Sequence, residues 1–224
     1  MPFLIFLKSF ENLLYEIMSW IVFYPRTMWR SARHPLKMMD RSEQELKLPA
    51  EKQFRDVVSP PIFLLLTVIV AHAVEVAVVG NSALIDNGIG LASMIQDNTS
   101  LILYRLIAFA SPPVIAAAFA LVATKKPVDR DTLQPLFYAQ CFVTTPVILL
   151  CSIAATLTRL PGTTGNTPAA ILFVAAICFY VGVEATWFTR EAKRGAVVGA
   201  LWAAAVFAFS AIVLTGVAFL FSGF

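Results

Sequence analysis

Histidine and cysteine are scarce in this chain of 224 residues, with two of the first and three of the second. His34 and His72 lie on different segments, so no histidine-centred metal or acid–base site can be assembled from the local sequence. Cys141, Cys151 and Cys178 sit inside apolar stretches without close pairing, which reads as packing rather than a disulfide framework or a metal site. Charge is thin as well, at 14% of residues. Asp129 and Asp131 stand close together, but Lys125, Lys126 and Arg130 flank them and balance their charge. Walker loops, dinucleotide fingerprints, HExxH and Gly-x-Ser-x-Gly are all missing. No catalytic, cofactor-binding or metal-ligating residue can be named. The expectation is a protein that is not an enzyme, uses no cofactor and has no nucleic-acid partner.

What the chain has in quantity is hydrocarbon. Hydrophobic residues make up 58% of it and the mean hydropathy is +0.76. The apolar residues gather into five blocks, at 60–80, 101–124, 133–158, 168–189 and 196–222. A bilayer core of about 30 Å is crossed by ~20 helical residues, so each block is long enough to span. The predicted fold is all-α: a polytopic bundle of five transmembrane helices over 57–224, preceded by a helical head at 1–56. The opening stretch MPFLIFLKSFENLLYEIM has no basic residues ahead of its apolar run and no small-residue cleavage site behind it. The N-terminus is therefore expected to be retained.

Basic residues alternate along the loops. Nine of the seventeen Lys and Arg precede residue 56. The 81–100 loop has none and carries Asp86 and Asp97 instead. Lys125, Lys126 and Arg130 follow the second block, only Arg159 follows the third, and Arg190, Lys193 and Arg194 follow the fourth. Positive charge is retained on the cytoplasmic side, so five spans with a cytoplasmic N-terminus and an opposite C-terminus fit the pattern. The expected location is a bacterial inner membrane.

Within the head, Lys8, Glu11, Asn12, Glu16 and Ser19 recur every three to four residues through an otherwise apolar 3–23 stretch. Two carboxylates and a lysine make a sixth span expensive, and an amphipathic helix lying in the interface satisfies both faces. Packing on a partner is the alternative. Pro25 is suited to open a second helix, because its missing N–H costs nothing in a first turn. Arg26, Arg30, Arg33, Lys37 and Arg41 then follow at helical spacing, with Trp29 beside them as an apolar anchor and Pro35 bending the run. A basic face near a membrane attracts anionic headgroups at roughly 1 kcal/mol per close charge. These six residues are the candidates for binding lipid or a partner; ordinary topology signalling is the blander reading. Residues 40–56 read as a link to the first span.

Ionisable groups inside spans need partners. Glu75, with His72 one turn earlier, lies at the same end of the bundle as Arg105, and up-and-down connectivity brings the three to one depth. A polar clamp is the expected role, with an ion relay or snorkelling as alternatives. Glu184 lies shortly before Arg190, Lys193 and Arg194, where local neutralisation is the cheapest account. Pro112, Pro113 and Pro146 fall mid-span and are expected to kink two neighbouring helices, framing a groove or hinge. Gly195 and Gly199 form a GxxxG that permits close helix approach, within the bundle or between copies of a homo-oligomer.

A head followed by five spans resembles the Yip1 family of membrane proteins, especially its compact bacterial members. The local match lies in the third block: Thr132-Leu133-Gln134, then Tyr138-Ala139-Gln140, then Thr145-Pro146-Val147-Ile148-Leu149-Leu150. It is similar to that family's Gln-containing helix start, Tyr-Ala pair and mid-span proline. In topology the resemblance covers 58–222, and the 1–55 head departs from it. The resemblance implies a non-enzymatic component engaged with other membrane proteins, without catalytic residues. The expected function is organisation of membrane lipids or partner proteins. A small transporter or channel subunit using Glu75, His72 and Arg105 is one alternative, and an accessory subunit of a larger membrane complex is another.

Overall fold

The computed structural model describes residues 2–80, 98–160, 164–193 and 195–222. Asp86, Asp97 and Arg194 therefore lie outside the described residues. Among the described residues, seven α-helices follow in order: α1 Pro2–Arg33, α2 Pro35–Leu46, α3 Pro60–Val79, α4 Asn98–Thr124, α5 Arg130–Leu157, α6 Asn166–Glu191 and α7 Ala196–Ser222. A single 3-10 turn, Ala50–Lys52, interrupts the link between α2 and α3. No strand occurs among the described residues. Helices α3 to α7 are each long and apolar enough to cross a membrane, and they coincide with the five hydrophobic blocks. The chain is an integral membrane protein with an all-α fold.

Local chemistry sets the helix ends. Pro60 and Pro61 open α3, where the proline's missing N–H is no loss, and Gly80 ends it at a φ of 88° that suits a residue without Cβ. Asp129 caps α5: its Oδ1 accepts the Thr132 N–H at 2.8 Å, while the Thr132 hydroxyl faces back towards the Asp129 backbone. The interior prolines sit in unbroken helices. In α4 the carbonyl of Ala108, which loses its usual donor to Pro112, accepts the Ser111 hydroxyl at 2.7 Å. In α5 the hydroxyls beside Pro146 reach back to Gln140 and Cys141, two and one residues short of the carbonyl that Pro146 frees.

Helix α5 is the centre of the bundle, contacting α3, α4, α6 and the head helix α2. Its apolar window is 56% buried within the molecule, against 22% for α6 and for α7, whose outer faces are left to lipid. Ala116, Ala117 and Ala120 of α4 and Ala139 of α5 let the backbones approach around Val143, Tyr180, Phe188 and Val206. The head shares these cores. Met39 of α2 packs into the same cluster, and Met38 joins Phe63 and Phe142 beneath Trp20, Phe23, Tyr24 and Met28 of α1.

Pro25 does not open a second helix. Helix α1 runs straight through it, because Trp20, Phe23 and Tyr24 before it and Met28 after it dock on one cluster and hold both halves in line. The break comes later, at His34, where α1 stops and Pro35 starts α2. Of the two GxxxG glycines, only Gly199 makes a close approach. A Cβ there would stand 2.5 Å from the Ala185 carbonyl oxygen and 2.9 Å from the Thr189 nitrogen on α6, whereas Gly195 faces open space. Overpacking a tight contact typically costs about 1–3 kcal/mol. Gly199→Leu is therefore expected to lower the melting temperature in detergent by several degrees, and Gly195→Leu to leave it unchanged.

Candidate functional site at the basic head

The basic residues between Arg26 and Arg41 divide into two sets. Arg30 and Arg41 are turned inward and converge on Asp56 in the link to α3. Arg30 Nη1 donates to Asp56 Oδ2 at 2.9 Å; Arg41 reaches the same oxygen with Nη1 at 3.2 Å and contacts Oδ1 with Nη2. Arg41 also grips Glu45 with two nitrogens, at 2.9 and 2.6 Å. The other oxygen of Glu45 accepts the Phe54 N–H at 2.8 Å, holding Phe54 at a φ of 51° beside Tyr138. The Arg41 hydrogen bonds, reinforced by Arg30, hold the Asp56 carboxyl down at about 2. These two arginines are engaged within the head itself.

Arg26, Arg33, Lys37 and Trp29 form the second set and are exposed. The Arg33 guanidinium stands over the Trp29 ring at 5.6 Å. They continue a pattern that runs the length of α1. At 3.6 residues per turn, Lys8, Asn12, Glu16, Ser19, Arg26, Arg30 and Arg33 fall within about 100° of one another, with Glu11 at the margin. Trp20, Tyr24, Thr27 and Ser31 occupy a second sector and are buried or half-buried against the bundle. Phe10, Leu14, Ile17, Met18 and Ile21 occupy the third, and all five are exposed. One helix thus presents a polar, a protein-packed and an uncovered apolar face.

Two contacts give the level of α1 along the bundle. The Tyr24 hydroxyl pairs with Thr67 Oγ1 at 2.8 Å, and the Tyr24 ring tilts against Phe63 at 5.6 Å. Thr67 lies seven residues inside α3, about 10 Å along its axis from Pro60. Amphipathic helices lying in a membrane interface bury their apolar face roughly 5–10 Å deep. Further contacts hold the head in place: the Val58 N–H donates to Thr27 Oγ1 at 3.0 Å, and Asp40 of α2 pairs with Arg190 at the end of α6 at 3.0 Å.

At the opposite end of the bundle, His72, Glu75 and Arg105 come together as the spacing suggests. Arg105 Nη2 contacts Glu75 Oε2, and Arg105 Nη1 lies 3.4 Å from His72 Nδ1. The turn after α5 contributes what sequence reasoning missed: Arg159 Nη1 donates to Glu75 Oε1 at 2.9 Å. Its one sequence signal was its position, as the single charged residue between the third and fourth apolar blocks. Glu184 is not neutralised locally. Arg190 lies six residues on, on another face of α6, and is engaged by Asp40. Glu184 is instead fully buried, and its Oε2 accepts the Gln140 amide of α5 at 3.2 Å.

Among the described residues, no three His, Cys, Asp or Glu side chains come together to hold a metal ion. Compared with protein-family models, with curated proteins and with solved structures, the chain matches none of them.

A carboxylate whose folded value is depressed contributes stability that is complete above its unfolded value of 3.8 and is lost as pH falls through about 2. The link at 47–59 is expected to resist pepsin at about pH 4 and to become cleavable as pH falls towards 2. Asp56→Asn should be cleaved across that whole range; a link equally resistant in the variant would contradict the role given to Asp56.

Proposed function

We propose that this protein is a non-enzymatic membrane organiser that gathers anionic lipid, and through it partner proteins, at its N-terminal head. The head is assigned to the cytoplasmic face of a bacterial inner membrane, the setting that the resemblance to Yip1-like proteins implies, while the lipid-gathering role rests on the chemistry of α1 alone. The observation that carries it is the three-sector helix, with an uncovered apolar face along α1 and Arg26, Arg33 and Lys37 exposed about its C-terminal end. Hydrocarbon covers the first feature and anionic phosphate neutralises the second, so one bilayer surface satisfies both. The alternation of basic loops supports the same orientation, with the C-terminus on the opposite side.

A transport role draws less support. Glu75 is held by two arginines and Glu184 is enclosed beside Gln140, so neither stands in a line of ionisable groups across the bundle.

The test uses the full chain in nanodiscs of mixed phosphatidylcholine and phosphatidylglycerol, with either lipid brominated in turn. Quenching of Trp29, isolated by difference from Trp29→Phe, reports which lipid surrounds the head. Phosphatidylglycerol is expected to be enriched there, and neutralising Arg26, Arg33 and Lys37 together to glutamine should remove about 3 kcal/mol of attraction. The enrichment should fall to the bulk ratio, while Lys52→Gln leaves it unchanged. Enrichment that survives the triple variant would remove these residues from lipid binding.

A further inference from the structure

A cavity of about 650 Å³ lies between α1, the 50–59 link and the start of α3, with Tyr138 of α5 in its wall. Its volume is within the range of small-molecule sites. Glu16, Glu51 and Arg55 are its charged lining residues. Arg55 donates through Nε to the Glu51 backbone carbonyl at 3.3 Å, so among the described residues both its Nη groups are without a partner. Neither carboxylate is paired there either: the side-chain hydrogen bonds made to Glu16 and Glu51 end on their backbone carbonyls. Tyr15, Trp20, Phe54 and Tyr138 bring rings to the same walls. Two of these rings are fixed by the framework of the head. Phe54 and Tyr138 meet at 6.0 Å, and Glu45 holds the Phe54 N–H at 2.8 Å.

The cavity therefore offers two negative charges and one positive, beside π faces that attract a cation. An anionic ligand meets net repulsion here, and a neutral one leaves all three charges unused. A zwitterion engages them together. A primary ammonium carries three N–H donors, enough to serve both carboxylates, whereas a quaternary ammonium has none. The free end of Arg55 suits a phosphate.

Ile62 joins this polar cavity to the apolar surface of the first span. It lines the cavity and heads the row Ile62, Leu66, Ile69, Ala73 and Val76, which falls within about 80° on α3. Ile62 and Leu66 are half-buried and the other three are exposed. The row runs ~21 Å along the helix, a track on which an acyl chain can lie.

We propose that the cavity binds the headgroup of a phospholipid that couples a phosphate to a primary ammonium, as phosphatidylethanolamine does. The ammonium lies between Glu16 and Glu51 against the aromatic wall, Arg55 holds the phosphate, and one chain follows the Ile62 row down α3. This site selects a different headgroup from the exposed Arg26, Arg33 and Lys37 and does not rest on their reading.

The probe is a phosphatidylethanolamine with a diazirine near the top of one chain, present at trace level with the full protein in phosphatidylcholine nanodiscs. After photolysis, mass spectrometry is expected to place the label at residues 15–23 and 54–69. Replacing part of the phosphatidylcholine by untagged phosphatidylethanolamine should suppress that labelling, and the same amount of phosphatidylglycerol should not. Glu16→Gln combined with Glu51→Gln should weaken the suppression about fivefold, as the loss of two exposed ion pairs implies. Glu43→Gln, outside the cavity, should leave it unchanged. Equal suppression by phosphatidylglycerol, or labelling spread evenly over the lipid-facing surface, would overturn the proposal. Suppression by soluble phosphoethanolamine would overturn it too, by assigning the cavity to a free zwitterion. The comparison of headgroups needs only the unaltered protein, so it decides even where a variant fails to fold.

Discussion

Asp56, held between Arg30 and Arg41, is the interaction on which the architecture turns. Its carboxylate ties the end of α1, the middle of α2 and the link to the first span into one unit. Glu45 extends the tie to the Phe54 backbone, and Thr27 receives the Val58 N–H a few residues on. Without these contacts the head would be a basic tether. With them, α1 is held against α2, α3 and α5. Methionines beneath the ion pairs, Met38 and Met39, bury the same unit against α5.

A second constraint comes from the apolar slab. Polar groups there have no water to fall back on, so the bundle supplies partners from neighbouring helices or from the preceding turn. Glu75 draws arginines from α4 and from the end of α5, Gln140 meets Glu184, and Ser111 meets the carbonyl freed by Pro112. The central position of α5 follows from these partnerships as much as from its apolar packing. The rule is left unmet within the bundle at Tyr180, at Ser210, at the Gln140 amide oxygen and at the second oxygen of Glu184, all of them closed off from solvent.

The spans were legible in the sequence because a run of about twenty apolar residues has few other uses. The Glu75–Arg105 contact was legible too, since sequential helices in up-and-down order place both at one end. Arg159 was harder to foresee, because its partner lies 84 residues away on a helix that is not its sequence neighbour. The head was misread where tertiary contacts outweigh local rules. Pro25 is a sound helix start in isolation, but packing on both sides carries α1 through it. Arg30 and Arg41 share the spacing of the free basic residues, and only the fold brings Asp56 to them. Glu184 and Arg190 are close in sequence yet face different ways, a distinction that helical phase would have shown.

The central claim is that α1 lies in the membrane interface with one face in hydrocarbon and one in water. Spin labels placed singly along α1 of the full chain in nanodiscs test it most directly, using collision with oxygen and with a water-soluble nickel chelate. Labels at Phe10, Leu14, Met18 and Ile21 are expected to favour oxygen, and labels at Lys8, Asn12, Glu16 and Ser19 the chelate, in a 3.6-residue rhythm. Uniform access to the chelate around the whole helix would contradict it.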